Sequence, residues 1–238
     1  MKCLIIAAGL GSRLSARGDL KPLIKLNGVA LIQRVISTSM KAGINDFFVV
    51  VGYKSDLLKK FLSELQEKLN ITITPIDNPD WKKPNGISVL SARKFLKENF
   101  LLTMTDHIYE PTIIQKLQKV PLESDEVILA VDYKIQSNPL IDIDDVTKVL
   151  VENGKIKNIG KEIKNFNAFD TGIFYSSPAL FKALSECRVN GEESLSAGIK
   201  HLADQGKARV FDVGNEFWID VDDDNAFEKA VKLLSREI

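Results

Sequence analysis

The sequence predicts an α/β fold of three layers, with a mixed, mostly parallel central sheet and an antiparallel hairpin excursion. In the first half, short apolar segments alternate with amphipathic ones, which is the order of a strand–helix repeat. Those apolar segments are almost continuous, as is typical of parallel strands covered on both faces. Later, Asn153-Gly154 separates two alternating segments, which is a strong hairpin signal.

The elements of the first half follow one another with few ambiguous stretches. Helical spacing that ends before Gly43, and Ser55 as a capping residue, mark two of the helices. Strands are predicted at 1–7, 47–52, 71–76 and 100–106 and in "EVILAVDY", and helices at 29–42, 55–69 and 85–97 and from Pro111.

The second half changes character at the hairpin "TKVLVENGKIKNIGK". Next come the strand "FDTGIFYSS", a helix from Pro178, another at 195–205, and the strands "ARVFDVG" and "EFWIDVD". A closing helix is predicted from Asn225, with Asp222, Asp223 and Asp224 as its caps. Because no linker or repeat interrupts the chain, we predict one domain over 1–238, with a nucleotide-binding half (1–110) and an acceptor-binding half (111–238).

Composition excludes several classes of function. The chain has 32 basic and 32 acidic residues, so no net field would attract nucleic acid or an anionic membrane. The apolar run "FFVVV" is too short to span a bilayer and no secretory signal is visible, so we expect no membrane insertion and a cytoplasmic location. The two cysteines, Cys3 and Cys187, form neither a disulfide framework nor a metal-binding spacing, and we expect both to be packing residues.

The loop after the first strand, "AAGLGSRL", is the first candidate for a ligand site. In an open α/β sheet this loop faces the ligand phosphates, and Gly9 and Gly11 permit close backbone approach. The dinucleotide fingerprint fails, because Leu14 replaces its third glycine and Val51-Gly52 stands where an acidic residue is required. The P-loop also fails, since no Gly-Lys-Ser/Thr is present.

What remains is Gly-x-Gly-x-Arg followed by Lys21-Pro22. This ordered combination resembles nucleotidyltransferases that join a nucleoside triphosphate to a phosphorylated sugar or alcohol, and the resemblance implies their Rossmann-like fold. Attack at the α-phosphorus builds negative charge that fixed cations must stabilise. We predict that Arg13 grips the β- and γ-phosphates and Lys21 the α-phosphate, with Pro22 restricting the Lys21 backbone. Nucleotide contacts are also predicted for the loop residues Ala8, Gly9, Gly11 and Ser12.

Two carboxylates follow buried strands more than a hundred residues apart: Asp106 in "FLLTMTDHIYE" and Asp220 in "EFWIDVDDD". The resembling families use an Asp at each place for metal, so we predict that the pair holds Mg²⁺. His107 invites assignment as a general base, but a phosphate acceptor is already ionised and needs none. We therefore predict a pocket or structural role for His107, and a structural one for His201.

Further motifs narrow the resemblance. "DHIYE", "NIGK", "DTG" and "WIDVD" together resemble inositol-1-phosphate cytidylyltransferases over essentially the whole chain. The resemblance implies CTP and 1L-myo-inositol 1-phosphate as substrates, giving CDP-inositol and pyrophosphate towards di-myo-inositol phosphate solutes of heat-loving organisms. Some members are fused to a membrane-embedded phosphotransferase; we expect this chain to be the stand-alone form. Homodimerisation and association with a separate phosphotransferase stay open.

The resemblance also implies residues for the base and the acceptor. Asn85, Gly86 and Ser88 in "DWKKPNGISVL" match the base-reading loop, although an Asn-Gly turn at a helix start explains part of that pattern. Thr105 is a further nucleotide contact. Lys161, at the end of the hairpin, matches the lysine that holds the acceptor phosphate. The predicted acceptor side is completed by Asp170, Thr171 and Gly172 as contacts. The acidic loop residues Asp142, Asp144 and Asp145 are weaker candidates.

Three alternatives stay open. The acceptor could be phosphocholine or a hexose 1-phosphate, with cytidylyl, uridylyl or thymidylyl transfer, although a choline site would call for an aromatic cage. The protein could instead be a catalytically silent nucleotide-binding regulatory subunit. Arg13, Lys21, Asp106 and Asp220 together argue against that, because a sensor does not need the metal carboxylates. A Rossmann dehydrogenase is disfavoured by Leu14.

Overall fold

The computed structural model describes residues 1–235 and has a nine-stranded sheet between two layers of helices. The strands are β1 (Lys2–Ala7), β2 (Lys25–Leu26), β3 (Val29–Ala30), β4 (Asp46–Val51), β5 (Thr72–Asp77), β6 (Phe100–Met104), β7 (His107–Tyr109), β8 (Val127–Asp132), β9 (Lys148–Glu152), β10 (Lys155–Gly160), β11 (Ala168–Ser176), β12 (Ala208–Asp212) and β13 (Trp218–Asp220). The helices are α1 (Leu31–Lys41), α2 (Ser55–Leu69), α3 (Asn85–Ser91), α4 (Pro111–Leu117), α5 (Ala179–Val189), α6 (Leu195–Asp204) and α7 (Asp224–Leu234).

The sheet is mixed, as predicted, and its strand order is β5-β4-β1-β6-β11-β8-β12-β10-β9. The pairs β1–β4, β1–β6, β4–β5 and β8–β12 are parallel, whereas β11 runs antiparallel to both β6 and β8. The predicted hairpin is β9–β10, and Asn153 and Gly154 both have positive φ at its turn. Such a turn matches the right-handed twist of its strands. The predicted three-layer α/β fold is confirmed.

Apolar side chains cover the sheet on both faces. Helices α3, α5 and α6 pack over one face, and α1, α2 and α4 over the other. A third apolar cluster joins α7 to β13 and to the segment that follows β1. Over residues 1–235, the structure contains no helix whose length and apolar character would suffice for a bilayer span.

Several predicted boundaries need correction. Val29 and Ala30 pair with the short strand β2, so α1 begins only at Leu31. Helix α3 ends at Ser91, and a single 3₁₀ turn continues it from Ala92 to Lys94. Ser55 is the first helical residue of α2, while Lys54, in the left-handed conformation, is its N-cap. Helical spacing reveals the apolar face but not these local endings.

A small two-stranded sheet determines where the functional residues meet. β7 lies directly after β6 and pairs antiparallel with β13, in a register that sets Asp220 opposite His107. The backbone N–H of Val221 donates to Asp106 O, which continues this pairing. Two segments far apart in sequence therefore meet at the carboxyl end of β6, beside the loop that follows β1.

Candidate active site

A cavity of about 490 Å³ opens at the carboxyl ends of β1 and β6. Most of the residues predicted for the site line it. They are Gly9, Gly11, Ser12, Arg13, Lys21, Asn85, Ser88, Thr105, Asp106, Lys161, Asp170, Gly172 and Asp220. Ala8, Gly86 and Thr171 do not line it.

The glycine-containing loop is built around Lys21. Gly11 has φ of 68° and lies against the aliphatic stem of Lys21, so any Cβ at this position would overlap that stem. A 3₁₀ turn over Ser12–Leu14 follows, and it buries Leu14 completely. Close approach of this backbone to the lysine stem is the local reason for glycine at position 11.

Lys21 is a buried cation held between two carboxylates. Its Nζ donates to Asp106 Oδ2 at 2.5 Å and to Asp222 Oδ1. Burial disfavours the ammonium, but Asp106 and Asp222 outweigh burial and raise the pKa of Lys21 above its usual range. Burial likewise disfavours the Asp106 carboxylate, yet Lys21 and His107 hold the pKa of Asp106 well below its usual range.

His107 lies between the two predicted metal carboxylates. Its Nδ1 is 2.8 Å from Asp106 Oδ1 and 3.9 Å from Asp220 Oδ1. Burial disfavours the imidazolium, but Asp220 and Asp106 raise the pKa of His107 to about 9. The ring packs on Gly172, where any Cβ would overlap it. These contacts tie His107 to the carboxylates and to β11, and they suit the pocket role predicted for it.

The residues present fit a divalent cation. Asp106 and Asp220 offer carboxylate oxygens that lie, together with a ring nitrogen of His107, within 4.8 Å of one another. Asp220 Oδ1 is buried, and among the described residues it has no hydrogen-bond partner. Burial raises the pKa of Asp220, so the charged form needs a cation near it. Carboxylate oxygens are the ligands that hard cations prefer.

Asp222 was missed as a site residue, and its assignment as a helix cap is wrong. Its carboxylate accepts hydrogen bonds from Lys21 and Arg13. Asp223 is the N-cap of α7 and accepts from Ala226 N at 2.8 Å. A signal was available, because alternate residues of an extended segment share a face and so place Asp222 beside Asp220.

Asp145 connects the glycine-containing loop to the hairpin. It accepts from Arg13 Nη1, and it accepts from Lys161 Nζ at 2.6 Å. Burial would raise the pKa of Asp145, but Lys161 and Arg13 outweigh burial and lower it. The acidic loop was predicted only as a weaker candidate for the acceptor; Asp145 pairs with two cations that both line the cavity.

Residues of the predicted base-reading loop have structural contacts of their own. Asn85 Oδ1 accepts from Leu195 N at 2.9 Å, and Gly86 packs so closely on Glu193 O that a Cβ would clash. Ser88 Oγ accepts from Asn78 Nδ2 at 2.9 Å. Trp81 and Lys83 also line the cavity; both stand in the quoted loop "DWKKPNGISVL", but sequence reasoning did not select them.

On the acceptor side, Asp170 and Gly172 line the cavity while Thr171 points into the sheet. Thr171 is buried and its hydroxyl donates to Ala130 O at 2.8 Å. Asp170 Oδ1 accepts from Gly172 N at 2.7 Å, and burial raises the pKa of Asp170 to about 6. Strand β11 is irregular here, with a register shift between Asp170 and Phe174 and a positive φ at Gly172.

Curated proteins resemble this chain over almost its whole length. The bifunctional IPC transferase and DIPP synthase of Archaeoglobus fulgidus is 32% identical over 98% of this chain, which covers 44% of that protein. The protein of the same name in Aquifex aeolicus is 32% identical over 97% of this chain and 51% of its own length. The chain thus spans about half the length of these curated relatives.

A solved structure covers nearly the whole fold. The inositol-1-phosphate CTP transferase from T. maritima superposes with a TM-score of 0.86 at 26% identity, over 99% of this chain and 95% of that one. The resemblance to inositol-1-phosphate cytidylyltransferases predicted from the sequence is therefore confirmed. Residues 3–148 match the model of the MobA-like NTP transferase domain, and the chain belongs to that family of nucleotidyltransferases.

Proposed function

We propose that this protein transfers a cytidylyl group from CTP to inositol 1-phosphate, releasing pyrophosphate, as a step towards di-myo-inositol phosphate. The observation that carries the proposal is the convergence of Lys21, Arg13, Asp106, Asp220 and Lys161 on one cavity. Its volume of about 490 Å³ is within the usual range for small-molecule sites. The T. maritima structure and the curated relatives, by their names, support CTP and inositol phosphate as substrates.

In the proposed reaction, an oxygen of the inositol phosphate attacks the α-phosphorus of CTP. The bond from the α-phosphorus to the bridging oxygen breaks, and pyrophosphate leaves with that electron pair. Arg13 would bind the β- and γ-phosphates bidentately, and Lys21 would stabilise charge on the α-phosphate. Lys161 would hold the acceptor phosphate from the opposite side. Because that phosphate is ionised at neutral pH, the reaction requires no general base.

We propose that Asp106 and Asp220 hold Mg²⁺, with Asp222 beside them. Such an ion, when bound, neutralises charge on the triphosphate. Lys21 would supply further positive charge beside the ion, since its Nζ donates to Asp106 and Asp222.

The other predicted contacts remain part of the proposal. We propose that Ala8, Gly9, Gly11 and Ser12 approach the triphosphate with their backbone, since the loop lies at the cavity. For the base we propose Asn85, Gly86, Ser88 and Thr105. Asn85 and Gly86 would act indirectly, because their contacts to Leu195 and Glu193 fix the position of α3.

For the acceptor, Asp170 and Gly172 are the proposed direct contacts, and Thr171 would set their orientation from inside the sheet. On this view the chain is one domain, in which 1–110 supplies the nucleotide side and 111–238 the acceptor side.

One assay matrix tests the proposal. The four ribonucleoside triphosphates are each combined with inositol 1-phosphate, glucose 1-phosphate and phosphocholine, with Mg²⁺ present, and pyrophosphate release is measured. We expect turnover with CTP and inositol 1-phosphate to exceed every other pair. Turnover confined to glucose 1-phosphate or phosphocholine would show that this compound, and not inositol 1-phosphate, is the acceptor. CTP binding with no pyrophosphate release in any pair would favour a regulatory subunit instead.

A further inference from the structure

Asp132 is a buried carboxylate outside the set of reacting groups. It is the last residue of β8, its exposed fraction is 0%, and it does not line the cavity. Burying a carboxylate is costly unless hydrogen bonds satisfy its oxygens. The hydrogen-bond donors to the Asp132 carboxylate therefore indicate which segments this residue holds together.

Three donors from two parts of the chain, the loop after β8 and strand β13, converge on Asp132. Oδ2 accepts from Trp218 Nε1 at 2.9 Å and from Asn138 Nδ2 at 2.8 Å. Oδ1 accepts from the backbone N–H of Lys134 at 2.8 Å. The carboxylate at the end of β8 is thus hydrogen-bonded both to β13 and to the loop after β8.

Trp218 lies on the same short strand as Asp220, one of the proposed metal ligands. It is the first residue of the three-residue strand β13, which ends at Asp220. β13 pairs with β7 alone among the described strands, so few backbone bonds hold it. The Trp218 indole is buried and lines the cavity. Its bond to Asp132 therefore orients the strand that carries Asp220.

Asn138 lies at the start of the loop that lines the proposed acceptor side of the cavity. While its amide nitrogen donates to Asp132, its Oδ1 accepts from Leu140 N at 3.0 Å. Residues 140–142 and 145–147 then line the cavity, and they include Asp145, the partner of Arg13 and Lys161. Asp132 thereby fixes the start of the loop that faces the acceptor.

We infer that Asp132 is a positioning residue that holds β13 and the 138–147 loop in register with each other. The metal carboxylate and the acceptor loop then face the cavity together. The inference rests on the proposed function for its kinetic consequences. Mutation of a group that orients a metal ligand typically lowers metal affinity or activity by about 10- to 100-fold. A small displacement of the reacting groups also lowers the reaction rate.

The kinetic test uses Asp132→Asn, which keeps the shape but turns one acceptor oxygen into a donor that faces other donors. We expect kcat/KM for inositol 1-phosphate to fall by about 10- to 100-fold and half-maximal activity to require more Mg²⁺. The KM for CTP should change least. Trp218→Phe should shift mainly the Mg²⁺ requirement, and Asn138→Ala mainly the KM for inositol 1-phosphate. These two variants keep the inference testable if Asp132→Asn folds poorly.

The matched control is Glu126→Gln, at the opposite end of β8. Glu126 is largely buried and accepts from Arg209 Nη1 at 2.9 Å, but it lies far along the strand from the cavity. Its variant should lose stability without any change in the Mg²⁺ requirement or in the acceptor KM. An Asp132→Asn profile that matches this control would overturn the inference.

A second readout needs no substrate, and so separates this inference from the proposed function. Amide hydrogen exchange of Asp132→Asn should rise in segments 134–147 and 217–222 and stay unchanged in the glycine-containing loop at 8–14. Unchanged exchange in both segments, or a uniform rise that includes β8 and β11, would overturn the positioning role even where the assay matrix supports cytidylyl transfer.

Discussion

The two sides of the cavity are constructed differently. The nucleotide side comes largely from one stretch of chain, in which Gly11 and Arg13 precede Lys21, and the Lys21 side chain is only 8% exposed. The acceptor side draws on the loop at 140–147, the hairpin end at Lys161 and strand β11, and the Lys161 side chain is 50% exposed. A buried cation at Lys21 suits a chemical step that is the same for every acceptor. An exposed surface built from several loops can instead differ between proteins that use different acceptors.

The sharpest test of this contrast removes the buried pair. Lys21→Ala and Asp106→Ala should each lower kcat by about 10³-fold. The first removes the cation at the reacting phosphate, and the second removes a proposed Mg²⁺ ligand that also holds the Lys21 ammonium. Pyrophosphate release is the measurement, with circular dichroism as the check on folding. Lys25→Ala, an exposed lysine four residues on, serves as the control. Near-normal turnover in either variant would contradict the assigned roles.

Asp222 and Asp223 form a matched pair for the next test. Asp222→Asn should lower kcat by about 10²-fold, because the carboxylate lies between Lys21 and Arg13. Asp223→Ala removes the N-cap of α7 and should instead cost about 1 kcal/mol of unfolding free energy, measured by urea denaturation. If the two variants show the same kinetics, Asp222 has no role separate from the cap.

Lys161 tests the acceptor side. Lys161→Ala should raise the KM for inositol 1-phosphate by about tenfold while the KM for CTP stays near its original value, since about 1.4 kcal/mol of local charge attraction is lost. Initial rates at varied concentrations of each substrate measure both constants. The control is Lys157→Ala, an exposed lysine of the same hairpin. Equal changes in both KM values would remove the distinction between the two sides.

The smallest expected effect concerns Arg17, which anchors the nucleotide loop to α7. Its guanidinium pairs with Asp224 and Glu228 and stacks 4.0 Å from the ring centroid of Phe227. Arg17→Ala should raise the KM for CTP by only about two- to threefold, because partly exposed ion pairs contribute little. A calorimetric titration with CTP gives an independent measure. A larger change in the KM for inositol 1-phosphate than in that for CTP would contradict the anchoring role.

Much of the fold was predictable because it depends on local patterns. Continuous apolar strands, helical spacing and the Asn153-Gly154 turn each report on a few neighbouring residues, and the mixed sheet follows from them. The nucleotide side was equally accessible, since Gly11, Arg13 and Lys21 are close in sequence. Their chemistry could be interpreted before any distance was known.

Other parts of the site depend on partners far along the chain. Asp222 was interpreted as a cap because only the pairing of β13 with β7 brings it to Lys21. Asp145 was predicted only as a weaker acceptor-side candidate, because nothing in the sequence shows that Arg13 and Lys161 converge on it. Asn85 and Gly86 contact the N-terminal end of α6 and the residues just before it: Asn85 accepts from Leu195 N, 110 residues away, and Gly86 packs on Glu193 O.

The sequence by itself thus determined the strand–helix order and selected the glycine-containing loop and Lys21 as candidates for phosphate binding, because backbone preference and covalent spacing act over a few residues. Only the tertiary structure decided which carboxylates surround Lys21, which way Thr171 points and what Asp132 holds together. Those relations are distances between atoms of remote segments, and packing and burial set them after the chain has folded.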